Sequence, residues 1–336
     1  MLLGMAPLRI SFQGGGTDLE EYHNEYVGYT ISSTIDKYTF VTAKLRKDKN
    51  FQGFSPDFAS HIPPKHYKKI QAMQGHEIVL ACIEELNFSK GIDIFFCSDV
   101  GPGSGLGASS SLTANLVKVI LELKKEKWDK HKIALAAYRI GHDVLKWGIG
   151  KQDEFAAVYG GLNLYKFTKE KVTVEPIPLN YASRREMQNN SMLFYLGGRK
   201  HSSEILNSQL NDMRKSSKIT MSALHDAKNL ALQMRDALRE NDLTQFSEII
   251  KQGWEVKKRY TKGISNPFID RIVDKGYSLG ASSMKVTGAG GGGHLYVYAE
   301  PSRHMMIEKE FKKMGVQKVS FNFQNTGATV LDLHNL

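Results

Sequence analysis

Apolar positions in the first half of the chain alternate between a period of two residues and a period near 3.6, which predicts strands followed by helices. Leu8, Ile10 and Phe12 alternate with other residues, and β-branched and aromatic residues over 29–46 suit a pleated sheet. Further strands are expected over 91–97, 162–167 and 172–179. Helices are expected over 66–86, 109–125 and 129–147, the last with Asp129 as N-cap.

The second half groups its helices instead of alternating them with strands. The pattern predicts a strand at 192–195, helices over 202–239, 243–260, 267–279 and 305–313, a glycine-rich hairpin near 285–298, and strands at 316–323 and 329–333. This order indicates an α+β fold, not a doubly wound sheet. The polar stretch 180–190 has no apolar period, so we expect the chain to divide there into domains of residues 1–185 and 186–336.

Length and composition agree with two lobes around sizeable cores. The chain has 336 residues, which exceeds the usual size of one domain, and 41% of them are hydrophobic, enough to form sizeable cores. Its two cysteines, Cys82 and Cys97, lie in apolar surroundings and are expected to be buried and unpaired. No apolar run is long enough for a membrane span or a signal sequence, so a cytoplasmic location without membrane contact is expected.

A formal net charge of +10 raises the question of nucleic-acid binding. The lysine-rich runs 44–49 and 124–127 also contain acidic residues and lack the interleaved aromatic residues of a base-stacking surface. A solvated basic surface is therefore the preferred interpretation, and no nucleic-acid partner is expected. The same charge would attract phosphorylated small molecules.

A glycine- and serine-rich run between a predicted strand and a predicted helix is the first candidate for chemistry. Glycines allow close backbone approach, and the amides at a helix N-terminus attract anions, so this run is a candidate phosphate-binding loop. A plain connecting loop is the alternative, and the run lacks the Gly-Lys-Ser/Thr ending of a Walker motif. Its members are Pro102, Gly103, Ser104, Gly105, Leu106, Gly107, Ala108, Ser109, Ser110 and Ser111.

Two other glycine clusters lie near the ends of the chain. Residues 7–19 run from a strand into a turn that presents Gly16, Thr17 and Asp18, and residues 285–298 place four glycines, 290–293, between two strand-like runs. Glycines that flank strands often mark a positive φ or close approach to a ligand. Three unrelated hairpins would be the alternative, but four consecutive glycines exceed what a hairpin needs.

Together the three runs resemble the signature motifs of the GHMP small-molecule kinases, in the same order and across nearly the whole chain. The strings at 7–18 and 150–161 look like the branch of this family that acts on D-glycero-D-manno-heptose 7-phosphate. The resemblance implies an N-terminal ribosomal-protein-like α+β lobe, a C-terminal ferredoxin-like lobe and an active-site cleft between them. It also implies a kinase that uses ATP and Mg²⁺, phosphorylates a sugar phosphate at its anomeric hydroxyl and serves surface polysaccharide synthesis, and it allows a homodimer.

The resemblance assigns the catalytic roles to Asp153 and Arg9. Asp153 matches the family's catalytic aspartate, which takes or orients the hydroxyl proton; the alternative is that it only caps the short helix at 154–159. Arg9 matches a basic residue near that aspartate and the transferred phosphate. An arginine in an apolar strand is costly unless it is paired or faces solvent, and a pair with Asp153 would satisfy both charges.

The resemblance also assigns ligand-binding residues. Asp18, with Thr17 and Gly16, would bind sugar hydroxyls, although a turn or a helix cap would also explain Asp18. Ser109 would contact Mg²⁺. Many relatives have a second ligand, a glutamate, twelve positions before the catalytic aspartate; this chain has Gly141 there, with Asp143 or a water as the expected substitute.

The C-terminal half is expected to complete the substrate site. Arg199 and Lys200 resemble the family's basic turn and would clamp a substrate phosphate, with solvated charges as the alternative. Thr287, Gly290 and Gly291 are expected to line the cleft. Lys285 stays open, because lysines in strands commonly face water.

Two other functions are retained as alternatives. An L-fucose kinase, or a kinase of another unphosphorylated sugar, would leave Arg199 and Lys200 idle. A catalytically silent sugar- or nucleotide-binding regulator would be consistent with Gly141, but the presence of Arg9, Asp18 and Asp153 argues against it.

Overall fold

The fold is taken from a computed structural model that describes residues 1–66, 69–70, 75–197 and 202–334. The strands form two sheets, and helices pack against each of them. The strands of the first sheet are β1 (Leu2–Gln13), β2 (Gly28–Leu45), β3 (Asn50–Ser55), β4 (Ser60–His66), β5 (Ile92–Ser98), β6 (Leu162–Phe167), β7 (Val172–Pro176), β12 (Phe323–Gln324) and β13 (Thr329–Asp332). Those of the second are β8 (Ser191–Tyr195), β9 (Ser283–Val286), β10 (His294–Tyr298) and β11 (Gln317–Val319).

The helices in the first half of the chain are α1 (Glu20–His23), α2 (Glu77–Glu85), α3 (Ala108–Lys124), α4 (Lys130–Arg139) and α5 (Gln152–Tyr159), with a π-helix at Ile140–Val144 after α4. Of these, α3 and α5 pack against β1 and β2 of the first sheet. The helices of the second half are α6 (Tyr181–Asn190), α7 (Ser202–Arg214), α8 (Lys218–Arg239), α9 (Leu243–Lys258), α10 (Pro267–Ser278) and α11 (Pro301–Lys313).

The first sheet has the order β13-β1-β2-β5-β3-β4, with β12 and β6 also paired to the long β2. Its pairs are antiparallel except β3 with β5. Two strands from the end of the chain, β12 and β13, therefore return to the sheet formed by the first half. The boundary between 185 and 186 remains a proposal, and these returning strands belong with the first lobe in space.

The second sheet has the antiparallel order β11-β8-β10-β9. Numbered by their appearance in the chain, these four strands are arranged 4-1-3-2, with helices between the first and second and between the third and fourth. This is the ferredoxin-like β-α-β-β-α-β arrangement, which confirms the expected α+β fold of the C-terminal lobe.

An apolar core joins the two lobes. Phe12, on β1, packs edge-on against Phe246 of α9 and Tyr296 of β10, with ring centroids 5.2 and 5.4 Å apart. Leu8 and Ile10 of the same strand belong to the same buried cluster as Met234 and Ile249 of the second-half helices. Aromatic pairs in these geometries add to the free energy gained by burial, so β1 is held by both lobes.

Several expected elements differ from those observed. The helix expected over 66–86 is replaced by β4, which ends at His66, and by α2, which begins at Glu77. The single helix over 202–239 is two helices, because Ser216 adopts φ 50° and the Ser217 side chain accepts a hydrogen bond from the Thr220 amide at the start of α8.

The polar segment at 180–190 is also not a simple linker. It forms α6, capped by Asn180, whose side chain accepts a hydrogen bond from the Ser183 amide. Asp129 caps α4 as expected, by accepting from the Lys132 amide, but α4 ends at Arg139 and gives way to the π-helix. In the described part of the chain, no helix is both long and apolar enough to cross a membrane.

Candidate active site

A cleft of about 430 Å³ lies between the two lobes and brings together parts of the chain that are far apart in sequence. The N-terminal lobe contributes the turn after β1, the glycine-rich loop before α3 and the segment 146–153. The C-terminal lobe contributes α7, α9 and the end of β9. Residues that line it include Arg9, Gly16, Asp18, Ser109, Ser110, Trp147, Gly150, Asp153, Asn207, Gln209, Lys257, Tyr260 and Lys285.

The glycine-rich loop has the backbone of an anion-binding loop. Gly103, Gly105 and Gly107 adopt φ values of 73°, 79° and 79°, a region that glycine occupies without strain. Gly107 is the N-cap of α3, and no side chain in the described part of the chain caps this helix. The first amides of a 17-residue helix therefore lie uncapped at the edge of the cleft, where phosphate oxygens would bind.

Arg9 and Asp153 form the expected ion pair. Arg9 Nε donates to Asp153 Oδ1 at 2.8 Å, and its terminal nitrogen Nη2 donates to Oδ2 at 2.6 Å. Nη1 donates to the Gly105 carbonyl at 2.7 Å, which ties the pair to the glycine-rich loop. A bidentate contact fixes the carboxylate plane as well as its position.

The alternative role of Asp153, capping a helix, is not observed for its side chain. Lys151 is the N-cap of α5, and none of the side chains that the structure describes caps this helix. Gln152 Nε2 instead donates to Asp153 Oδ1 at 3.1 Å, and Ser11 Oγ donates to Gln152 Oε1 at 2.9 Å. Asp153 is thus oriented by side chains, and among the described residues Arg9 alone donates to its Oδ2.

Asp18 lies in the same cleft and is held by backbone amides. Its Oδ1 accepts from the Gly16 amide at 2.8 Å, and its Oδ2 accepts from the Gln152 amide at 3.2 Å. Burial, together with the nearby charge of Asp153, raises the pKa of Asp18. The turn role and a ligand role are compatible, because each carboxylate oxygen has a second lone pair.

Lys285 is a cleft residue that the sequence pattern left open. Its side chain is only 5% exposed, and Nζ donates to the Phe12 carbonyl at 2.6 Å across the boundary between the lobes. Burial, and then the nearby Arg9, lower the pKa of Lys285 to about 7. The water-facing orientation common for strand lysines is therefore wrong here, since β9 is buried along its length.

Further polar groups line the cleft from two helices, α7 and α9, whose sequences contain no recognisable motif. Gln209, on α7, is buried, and within the described ranges its Nε2 has no hydrogen-bond partner. Lys257, on α9, donates to the carbonyls of Val286 and Gly288. These residues could not be found from the sequence, because helical periodicity predicts burial but not which buried side chains meet the other lobe.

Of the two residues predicted as metal ligands, the structure places one in the cleft and one outside it. Ser109 and Ser110 line the cleft. Asp143 does not; its side chain is 58% exposed, and its Oδ1 accepts from His142 Nδ1 at 2.8 Å. Within the described residues, no group of three or more His, Cys, Asp or Glu side chains is placed to hold a metal.

Gly141, where relatives have a glutamate, is closely packed. A Cβ there would lie 2.6 Å from Ile149 Cδ1. Glu154, by contrast, is fully buried next to Asp153, and no group of the described residues forms a hydrogen bond with its carboxylate oxygens. Burial, followed by the Asp153 charge, raises the pKa of Glu154 to about 8, with the Ser110 side chain as the largest opposing influence.

Some predicted residues lie beside the cleft and not on its wall. Thr17 is buried, with Oγ1 donating to the Gly14 carbonyl at 2.8 Å. Gly290 and Gly291 pack against Ile264, whose carbonyl accepts from the Gly291 amide at 2.8 Å. Pro102, Leu106 and Thr287 are also absent from the cleft wall as described, whereas Gly288 and Ala289 belong to it. Arg199 and Lys200 lie outside the described residues.

Two family models match the chain. The model described as "GHMP kinases N terminal domain" matches residues 75–161, and the model described as "GHMP kinases C terminal" matches residues 234–305. The first match contains the glycine-rich loop and Asp153, and the second contains Lys257, Lys285 and the glycines at 290–293.

Similar proteins align over almost the whole chain. A D-glycero-alpha-D-manno-heptose 7-phosphate kinase of Campylobacter jejuni is 29% identical over 331 residues, covering 96% of each protein. An L-fucokinase/L-fucose-1-P guanylyltransferase of Bacteroides fragilis is 28% identical over 91% of this chain and 35% of its own length. The crystal structure of a D-glycero-D-manno-heptose 1-phosphate kinase from Bacteroides thetaiotaomicron superposes with a TM-score of 0.82 at 22% identity, covering 99% of both chains.

Proposed function

Because this chain belongs to the GHMP kinase family and is a phosphotransferase that acts on a hydroxyl group, we propose that it phosphorylates D-glycero-D-manno-heptose 7-phosphate with ATP. The product would be the 1,7-bisphosphate, an intermediate for surface polysaccharide. The observation that carries the kinase part of the proposal is the Arg9–Asp153 ion pair beside the uncapped N-terminus of α3.

The glycine-rich loop and the Arg9–Asp153 pair would have separate roles in phosphoryl transfer. The Gly103–Gly107 loop and the first amides of α3 would hold the nucleotide phosphates. Asp153 Oδ2 would accept the proton of the attacking hydroxyl as the new O–P bond forms and the bond to the departing ADP breaks. Arg9 would compensate charge on the transferring group while it keeps the Asp153 carboxylate in place.

Mg²⁺ fits the residues present. Ser109, in the first turn of α3, lines the cleft and offers a hydroxyl where the phosphates would lie. Mg²⁺ commonly keeps several waters and takes few protein ligands beside substrate phosphates, so a dedicated cluster of acids is not required. When bound, the ion would neutralise phosphate charge and help to align the nucleotide.

The sugar would occupy the part of the cleft next to Asp18. A carboxylate oxygen, the amide of Gln209 and the Asn207 side chain offer acceptors and donors for hydroxyl groups. Lys285 and Lys257 place positive charge on the C-terminal side of the same cleft. A substrate that already carries a phosphate accounts for these lysines better than a neutral sugar does.

The proposal is tested by measuring ADP formation with Mg²⁺-ATP against heptose 7-phosphate, heptose, L-fucose and galactose. Turnover with the heptose 7-phosphate at least 100-fold more efficient, in kcat/KM, than with any neutral sugar would support the proposed substrate. Preference for L-fucose would overturn the substrate and favour the fucokinase alternative, which the similarity to the Bacteroides fragilis protein supports. Nucleotide binding without turnover on a broad panel would favour the silent regulator.

A further inference from the structure

Another cavity, of about 770 Å³, lies apart from the cleft. It is formed by the start of α4, the end of α5, residues 176–179, helix α6 and the loop at 322–325, and none of the described residues lines both cavities. Asp153 is in the first turn of α5 at the cleft, whereas Tyr159, about 9 Å further along the helix axis, lines this second cavity. The volume lies within the range of small-molecule sites.

Buried residues form the floor of this cavity, so it is a pocket and not a shallow depression of the surface. Ser33, Asn163, Ile177 and Met187 line it, and all four are buried. The Ser33 hydroxyl donates to the Thr34 carbonyl at 3.4 Å, a long and therefore weak hydrogen bond. Apolar walls with a few polar groups between them are typical of a site for a small molecule.

The walls of the cavity carry positive charge without negative charge. Lys130, Arg184 and Arg185 line it, whereas no described residue that lines it is an aspartate or a glutamate. Within the described ranges, neither arginine forms an ion pair. Lys130 donates to the Tyr159 carbonyl at 3.4 Å. Because the three cations repel one another, an anion bound between them would be stabilised.

Helix α6 turns one face toward the cavity. Four of its residues are spaced by three or four positions and therefore share one side of the helix. All four line the cavity: Tyr181, Arg184, Arg185 and Gln188. The Tyr181 side chain is 79% exposed and makes no ring contact in the described part of the chain, so its ring is free to stack on a ligand. Arginine binds phosphate through two parallel hydrogen bonds.

We propose that this cavity is a second ligand site and that it binds a nucleoside diphosphate, with the phosphates at Lys130, Arg184 and Arg185 and the base on Tyr181. Inorganic phosphate would match the cations but would leave the tyrosine ring and the apolar walls without a partner. An acidic surface of another protein would match the charge but would not reach the buried floor. The site goes beyond the proposed kinase reaction, because it uses none of the residues of the cleft.

The test is the number of nucleoside diphosphate molecules bound per chain, measured by equilibrium dialysis with ADP, GDP, UDP and CDP. We expect one ADP in the cleft and a second molecule of at least one of the four in this cavity. Arg184→Gln combined with Arg185→Gln removes two charges and should raise the Kd of the second site about 10-fold or more, because charge-assisted hydrogen bonds to phosphate are lost. The Kd of the cleft should stay within twofold.

The matched control removes two charges elsewhere. Arg271 on α10 and Lys312 on α11 are exposed and line neither cavity. Arg271→Gln combined with Lys312→Gln should leave the Kd of both sites within twofold. All four substituted positions are on the surface, so the variants are expected to fold. Equal weakening of the second site in both double variants would overturn the site, since the effect would then come from net charge alone.

Tyr181→Ala tests the contact with the base. It should raise the Kd of the nucleoside diphosphate at the second site about 5-fold or more, in line with the loss of one stacked base. The Kd of inorganic pyrophosphate should not change, because pyrophosphate has no ring. If pyrophosphate binds the second site as tightly as each of the four nucleotides, the nucleoside part of the proposal is overturned.

The outcomes separate this site from the proposed function. One molecule bound per chain, with a Kd that Arg184→Gln and Arg185→Gln leave unchanged, would overturn the second site and leave the kinase proposal standing. One molecule bound per chain and weakened only by these two substitutions would support the second site and count against nucleotide binding in the cleft.

Discussion

Gly150 lies directly against the carboxylate of Asp18: a Cβ at position 150 would be 2.0 Å from Asp18 Oδ2 and 3.0 Å from the Asp18 backbone carbon. The two residues come from the first glycine turn and from the segment that leads into α5, and Lys151 strengthens the contact by donating its amide to the Asp18 carbonyl at 3.2 Å. The position of one proposed substrate-binding residue thus depends on the absence of a side chain at another.

Gly150→Ala is therefore expected to displace Asp18. Because backbone atoms on both sides are close, the free energy of unfolding should fall by about 1–3 kcal/mol, the usual cost of overpacking, and KM for the sugar should rise. Denaturant unfolding and steady-state kinetics would measure the two effects. Gly101→Ala is the matched control, since a Cβ there meets nothing within 4 Å, and an equal loss in both variants would contradict the steric explanation.

The ion pair of Arg9 and Asp153 predicts two different defects. Asp153→Asn keeps the shape but removes the proton acceptor, so kcat should fall by about 10²- to 10⁴-fold while nucleotide binding persists. Rapid-quench measurement of product, together with nucleotide affinity, would separate the two. A kcat within 10-fold of the wild type would remove Asp153 from the role of base.

Arg9→Met should instead lower stability as well as activity, because Arg9 is buried and makes three charge-assisted hydrogen bonds. We expect the free energy of unfolding to fall by about 2–4 kcal/mol. Arg214→Met serves as control: Arg214 pairs with Glu21 at the surface, its side chain is 61% exposed, and its loss should change the free energy of unfolding by less than about 1 kcal/mol.

The resemblance to the GHMP kinases, together with the cost of leaving an arginine unpaired in an apolar strand, predicted the Arg9–Asp153 pair. Hydrophobic periodicity and capping signals predicted the strands and helices in broad order, including the N-cap at Asp129. They did not predict that β12 and β13 return to the first sheet, since pairing between strands at opposite ends of the chain leaves no local pattern. The break before α8 was missed because Ser216 adopts a positive φ without being glycine.

The residues missed in the cleft share one property. Lys285 and Gln209 are buried in regular elements, where periodicity shows only that a position is covered. Which buried position meets the opposite lobe, and which polar atom stays without a partner, depends on how the two lobes dock. Contacts such as the hydrogen bond from Lys285 on β9 to the Phe12 carbonyl on β1 show how the lobes dock, and the sequence of either strand alone does not predict them.

Lys285 predicts a pH dependence of anion binding. Its pKa is lowered to about 7, so the amine is mostly charged at pH 6 and mostly neutral at pH 8. The charged form binds anions, and affinity through this group should therefore be higher below pH 7 and be lost as the pH rises through that value. In Lys285→Met the contribution should vanish, leaving weaker binding at pH 6 and little difference from the wild type at pH 8.

Calorimetric Kd values for the phosphorylated substrate at pH 6, 7 and 8 would check this. Phosphate groups titrate in the same range, but that titration is common to both proteins, and the ratio of the two Kd values removes it. Lys251→Met is the control, since Lys251 lies over the Tyr277 ring on the surface of α9 and not in the cleft. A ratio that does not change between pH 6 and pH 8 would exclude Lys285 as the titrating group.

Gln209 provides the sharpest separation of binding from stability. Its Nε2 is buried in the cleft and has no partner among the residues that the structure describes, so no hydrogen bond in that part of the chain depends on Nε2. Gln209→Leu should therefore leave the free energy of unfolding unchanged or slightly raised, because an unsatisfied donor is replaced by an apolar group.

If Nε2 donates to a sugar hydroxyl, KM should rise about 3- to 10-fold, the equivalent of one neutral hydrogen bond of roughly 0.5–1.5 kcal/mol, while the affinity for nucleotide alone stays constant. Thermal unfolding and isothermal titration with each ligand would measure the three quantities. A variant that loses stability without any change in KM would show that Gln209 packs the base of α7 and does not contact the sugar.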